Sequence, residues 1–171
     1  MKRSIYLFIF LVIYGFTLKA QPMENRIQQT VSQLFIATDQ QDWNTVESLF
    51  HTEVLLDYTS MAGGEPATLS PQQITTAWKG LLPGFEHTHH QLGNFQIKQQ
   101  GNQYQVFCYG TATHYLPHEA GNVWTVVGSY EFELVPSGKS WKVSKMVFHF
   151  KYQDGNTNLP QVAQSIVKAT H

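Results

Sequence analysis

Asn122-Val123-Trp124-Thr125-Val126-Val127-Gly128-Ser129-Tyr130-Glu131-Phe132-Glu133-Leu134-Val135 decides the fold. Trp124, Val126, Tyr130, Phe132 and Leu134 share one parity, and Thr125, Ser129, Glu131 and Glu133 share the other. Successive side chains of a strand point to opposite faces, so this alternation predicts a strand in a sheet with one buried face. Outward from it, residues 88–99, 103–117 and 140–152 are also β-rich. Gly101-Asn102, Gly121-Asn122 and Ser137-Gly138-Lys139 separate these runs, the punctuation that antiparallel hairpins need.

The part before this meander is helical. From Met23 to about Gln40, Ile27, Val31, Leu34, Phe35 and Thr38 recur at helical spacing. Asp42 is a good N-cap for a second helix with Trp43, Val46, Leu49 and Phe50 on its apolar face. Val54 to Tyr58 reads as a short strand, and Met61 to Leu69 as a loop. Ser70-Pro71 opens a third helix carrying Ile74, Trp78, Leu81 and Leu82, which stops at Pro83-Gly84. Leu159, Val162, Ile166 and Val167 suggest a closing helix. The order predicts an α+β fold: three N-terminal helices packed on a curved antiparallel sheet, a cone-shaped barrel enclosing a pocket.

The chain has 171 residues, 42% of them hydrophobic, and a net charge of −1. That suits one globular domain with a real core, and the lack of a basic stripe argues against nucleic acid as a partner. Lys2 and Arg3 precede the apolar run Ile5–Phe16 and Leu18-Lys19-Ala20, so residues 1–20 read as an export signal. The expected mature domain is 21–171, exported and free of the membrane after cleavage. Cys108, the single cysteine, sits mid-strand and reads as a core residue.

Glu86-His87-Thr88-His89-His90-Gln91-Leu92-Gly93-Asn94 concentrates imidazoles, the side chains that change charge nearest neutral pH. A strand puts His87 and His89 on one face and His90 on the other. Two histidines on one face begin a metal pattern, but Gly93 and Asn94 stand where an acid is expected. His118 is a further ligand for that weaker metal reading. Asp39 ends the first helix, where the dipole opposes a negative charge, so it is either a solvated turn residue or a functional acid. Facing His90, it would form a carboxylate–imidazole pair able to accept a proton. His114 shares its strand face with Cys108, Gly110 and Ala112, and is either a ligand contact or a solvent-facing hairpin end. Tyr58 is either a pocket hydroxyl or a core tyrosine, and Tyr130 is a further pocket hydroxyl. An enzyme needs a cavity on the order of 300 Å3 beside this pair. Trp78, Tyr130 and Phe148 either line that cavity or fill it.

Asp39-x-x-Asp42-Trp43, Leu49-Phe50-x-x-Glu53-Val54, Asp57-Tyr58, Thr88-x-His90-x-x-x-Asn94, Ala112-Thr113-His114, Gly128-Ser129-Tyr130 and Trp141-Lys142-Val143 follow in order. Over about 26–152, the chain resembles the SnoaL-like branch of the nuclear-transport-factor-2-like superfamily. Scytalone dehydratases and hexachlorocyclohexane dehydrochlorinases are similar in their acid and histidine, which match Asp39 and His90. The dehydratase pattern also matches Tyr58 and His114, but its pocket Ser and Asn fall at Gly128 and Tyr130. The resemblance implies proton abstraction without a cofactor or metal from a small, fairly apolar molecule. Asp39, His90, Tyr58 and His114 would be catalytic, with Trp78, Tyr130 and Phe148 binding the ligand. It also implies a homodimer through the sheet. A non-catalytic ligand-binding or scaffold domain is the alternative.

Overall fold

The computed structural model describes residues 22–170; the expected export signal at 1–20 lies outside them. The helix α1 spans Met23–Asp39 and α2 spans Trp43–Leu49; the strand β1 spans Phe50–Asp57. A single helical turn α3 (Thr59–Ala62), a short strand β2 (Ala67–Leu69) and α4 (Pro71–Lys79) follow. The meander is β3 (His87–Gln100), β4 (Gln103–Tyr115), β5 (Val123–Ser137) and β6 (Ser140–Gly155), and α5 (Leu159–Ala169) closes the described chain.

Local chemistry sets the helix boundaries. The Asp42 carboxylate accepts the Thr45 N–H at 3.1 Å and caps α2. Ser70 and Gln73 form a reciprocal capping box at the start of α4, with Pro71 at its first position. Between α1 and α2 the chain reverses through Gln41, whose φ of 55° is in the left-handed region.

All six strands form one sheet in the order β2-β1-β6-β5-β4-β3. It is open, with β2 and β3 as its two edges, so the expected barrel does not close. The expectation of a wholly antiparallel sheet fails at one seam, because β1 runs parallel to β6, with Asp57 opposite Val147. The expected loop 61–69 holds α3 and β2, and three strand residues are too few to display an alternation. Likewise α4 ends at Lys79, and Leu82–Gly84 forms a separate 3-10 turn.

The helices cover the concave face. Ile27, Val31, Leu34 and Phe35 of α1 bury against Val106, Cys108, Phe132, Leu134 and Met146 in one core. On β5 the residues Trp124, Val126, Tyr130, Phe132 and Leu134 are all buried inward. Ser129, on the other face, is buried as well, small between Tyr109 and His149 of the flanking strands. Between α1, α3, α4 and the inner face of the sheet the layer stays open, and that gap becomes a pocket.

Candidate active site

Asp39 is the last residue of α1, and its carboxylate reaches β3. Oδ1 accepts the Thr88 hydroxyl at 2.8 Å and contacts His90 Nδ1 at 2.6 Å, while Oδ2 accepts the His90 backbone N–H at 2.7 Å. Thr88 and His90 are two residues apart on one strand, so both project to the concave face. The His90 and Asp39 side chains are only 11% and 16% exposed. Burial pushes the Asp39 carboxyl up, but hydrogen bonds from His90 and Thr88 and the charge of His90 outweigh it. The carboxyl therefore lies below its ordinary range and stays ionised. A carboxylate can only accept, so its partner Nδ1 carries a proton, and in the neutral ring it is Nε2 that has the free lone pair.

His114 lies across from Thr88 on β4 and is 4% exposed, which rules out a solvent-facing hairpin end. Its ring sits 4.5 Å from the Trp124 ring and 4.9 Å from that of Phe85. Burial, then the charge of His90, pushes its pKa down to about 4, against the pull of the Trp124 carbonyl and Asp39. His114 is thus neutral at ordinary pH. Its Nδ1 stands 3.3 Å from the Trp124 carbonyl, which can only accept. The proton is then on Nδ1, and Nε2 is an acceptor for a ligand.

Donors come from two tyrosines. Tyr58 follows β1, and Tyr130 lies mid-β5; both rings pack on Phe148, at 5.5 and 4.8 Å. Burial raises both phenols, and the nearness of the two hydroxyls pulls Tyr58 back and pushes Tyr130 further. Both stay protonated. The Tyr130 and Phe148 rings lie over Gly110 and Gly128, where an added Cβ would sit 2.4 Å from each ring.

These groups surround a cavity of about 230 Å3. Its wall includes His90, His114, Tyr58, Tyr130, Trp78 and Phe148, so all three expected ligand-binding residues line it. Asp39 stands behind His90, outside the wall. Among the described residues no Lys, Arg, Asp or Glu lines the cavity. Sequence reasoning missed Thr88, Met61 of α3 and Trp124. The parity of Thr88 with His90 was an available signal; the placement of Met61 was not.

The other imidazoles are elsewhere. His87 points outward, with a side chain 75% exposed, and His89 is exposed too. His118 Nδ1 accepts the Ala120 N–H within a turn. Among the described residues no three His, Cys, Asp or Glu side chains converge on a metal-sized site. Burial pushes the Cys108 thiol up to about 12, the behaviour of an inert core residue.

No curated protein matches this sequence. Solved structures do. The Kfla4162 protein from Kribbella flavida is 21% identical, with a TM-score of 0.75 over 81% of this chain and 96% of its own. A candidate scytalone dehydratase from Novosphingobium aromaticivorans is 17% identical, with a TM-score of 0.67 over 77% and 86%. The hexachlorocyclohexane dehydrochlorinase LinA-type3 from Novosphingobium barchaimii is 14% identical, with a TM-score of 0.66 over 79% and 90%. At these identities the likeness is one of fold. The SnoaL-like domain profile matches residues 22–147, nearly all of the helices and sheet described above, and the chain therefore belongs to the SnoaL-like domain family.

Proposed function

We propose that this protein is an exported, cofactor-independent acid–base enzyme, a lyase or isomerase for a small neutral molecule. One observation carries the reading: the Asp39–His90 pair stands at the wall of an otherwise uncharged cavity. His90 Nε2 takes a proton next to a carbonyl or a leaving group. The imidazolium that forms is stabilised by the Asp39 carboxylate. Tyr58, supported by the Tyr130 hydroxyl, donates to the oxygen on which charge develops or protonates the departing group. His114 accepts a hydroxyl of the substrate and so orients it. The names of the dehydratase and dehydrochlorinase relatives, both eliminations, support the reading.

The pocket also restricts the substrate. Without a lining cation, a carboxylate or phosphate would be buried unpaired at high cost. The cavity measures about 230 Å3. That fits a small ring compound with a hydroxyl or carbonyl and little more.

The test is identification of co-purified small molecules by mass spectrometry, followed by turnover assays with wild type and His90→Ala. A positioned base contributes about a hundredfold to ten-thousandfold, so His90→Ala should lose that much kcat. Turnover that survives His90→Ala sinks the proposal.

A second reading is a non-catalytic binding domain. It is favoured by the cavity volume, which falls below the ~300 Å3 typical of sites for drug-sized ligands. Its mark would be a ligand bound equally by wild type and His90→Ala and never turned over. Export rests on the leader-like residues 1–20, and cell fractionation with N-terminal sequencing tests it. Exposed Tyr109 of β4 and Tyr152 of β6, on the outer face of the sheet, support a homodimer through that face, which sedimentation tests.

A further inference from the structure

We infer that Thr88 is a positioning residue for the Asp39–His90 pair: its hydroxyl holds the carboxylate so that His90 keeps its proton on Nδ1 and turns Nε2 to the cavity. The inference rests on the acid–base reading of the same site and names what keeps the pair aligned.

The geometry is a three-point clamp. Asp39 Oδ1 is shared by Thr88 Oγ1 at 2.8 Å and His90 Nδ1 at 2.6 Å, and Oδ2 takes the His90 N–H at 2.7 Å. Without Thr88 both remaining donors belong to His90. Nothing independent of the base would then fix the plane of the carboxylate. The turn through Gln41 gives the carboxylate no further donor, because its N–H groups bond the backbone carbonyls of α1. Thr88 suits the task. It is β-branched and stiff at χ1, so its hydroxyl is held in place at little further entropic cost. Its place opposite His114 on β4 ties it to the other imidazole of the site.

The clamp has a chemical consequence. When His90 takes up a proton, its partner must be ionised, and each donor to the carboxylate favours the ionised form. The hydroxyl of Thr88 is one of the groups holding the Asp39 carboxyl below its ordinary range. The titratable groups that face the pair are His114 on β4 and Tyr130 on β5. The first is neutral and the second protonated near neutral pH, and among the described residues only Thr88 and His90 give the Asp39 side chain donors.

The test uses the full chain with 15N-labelled histidine. Ring nitrogen shifts of His90 report the tautomer across pH for wild type, Thr88→Val and Thr88→Ser. Wild type should hold the Nδ1–H form. Thr88→Val should mix the two tautomers and move the acid limb, where Asp39 takes up its proton, to higher pH. Thr88→Ser, which keeps the hydroxyl, should restore both. With a substrate in hand, Thr88→Val should lower kcat about tenfold to a hundredfold with little change in KM, the scale of a small misplacement of a base. A merely structural role would lower the melting temperature without moving the tautomer or the acid limb. If Thr88→Val does not fold, Thr88→Cys, a weaker donor of similar size, should shift the tautomer in the same direction. An unchanged tautomer and acid limb in whichever variant folds overturns the inference. Asp39→Asn separates the two failures. If it too leaves the His90 tautomer unchanged, the acid–base reading fails; if it changes the tautomer while Thr88→Val does not, only the role of Thr88 fails.

Discussion

The imidazoles of His90 and His114 meet edge to face, their ring centroids 5.8 Å apart, yet only His90 has a carboxylate partner. Two histidines of one pocket are thereby set to different tasks. His90 is backed by a negative charge and can become an imidazolium. His114, stacked on Trp124 and hydrogen-bonded only to a backbone carbonyl, is held neutral, which leaves its Nε2 able to accept. The difference comes from environment alone, the usual way in which two like groups acquire separate roles.

His114 should leave a mark on stability. Its pKa falls from 6.5 in the unfolded chain to about 4 in the fold. Between those values the unfolded chain binds a proton that the native state does not, so stability falls as pH drops from about 6.5 to about 4. The amount is roughly 3 kcal/mol. Urea unfolding at a series of pH values should show this slope in wild type and lose it in His114→Gln. The Asp39 carboxyl contributes in a lower window, because its depressed pKa gives stability that is lost only as pH falls below about 3.8.

Asp39→Ala should destabilise the fold and, if the proposed function holds, abolish turnover. It leaves the Thr88 hydroxyl and the His90 N–H without their acceptor in a half-buried place. An unsatisfied donor costs about 1–3 kcal/mol, so a loss of roughly 2–4 kcal/mol in chemical denaturation is expected. A fully stable Asp39→Ala would show that water replaces the carboxylate, and the clamp would then be weaker than its distances imply.

Gly128→Ala and Gly110→Ala should part company. A Cβ at Gly128 would stand 2.5 Å from the His149 carbonyl oxygen, and backbone cannot yield, so about 1–3 kcal/mol of stability should be lost. A Cβ at Gly110 meets the Tyr130 ring and the Leu92 side chain, which can shift. Gly110→Ala should fold yet push Tyr130 into the cavity. Thermal melts would show the first effect and ligand titration the second.

Ser60 fastens α3 over the pocket. Its hydroxyl donates to the Phe148 carbonyl at 2.6 Å and accepts the Phe150 N–H at 2.9 Å. Met61 of the same turn lines the cavity, and Gly63 and Gly64, both at positive φ and with open space around them, follow it. Ser60→Ala should cost about 1–2 kcal/mol and speed ligand dissociation, because the turn then opens more readily. Stopped-flow dissociation of a bound ligand measures this; an unchanged rate would show that ligands leave by another route.

Local periodicity and end chemistry determined much of this protein. The alternation in β5, the hairpin residues around it, the Asp42 cap and the Ser70–Gln73 box are properties of short windows, and they fixed the strands and helices within a few residues. The same alternation separated His90 from His87 and His89. What a window cannot hold is a distance between remote segments. The pairing of β1 with β6, the meeting of Asp39 with a histidine 51 positions on, and the facing of Tyr58 and Tyr130 arise only when helices pack on a twisted sheet. Tertiary packing also decided the state of His114, since burial between Phe85 and Trp124 makes it neutral. The sequence could offer Asp39 as a residue out of place at a helix end; the fold supplied the three donors that explain why it is there.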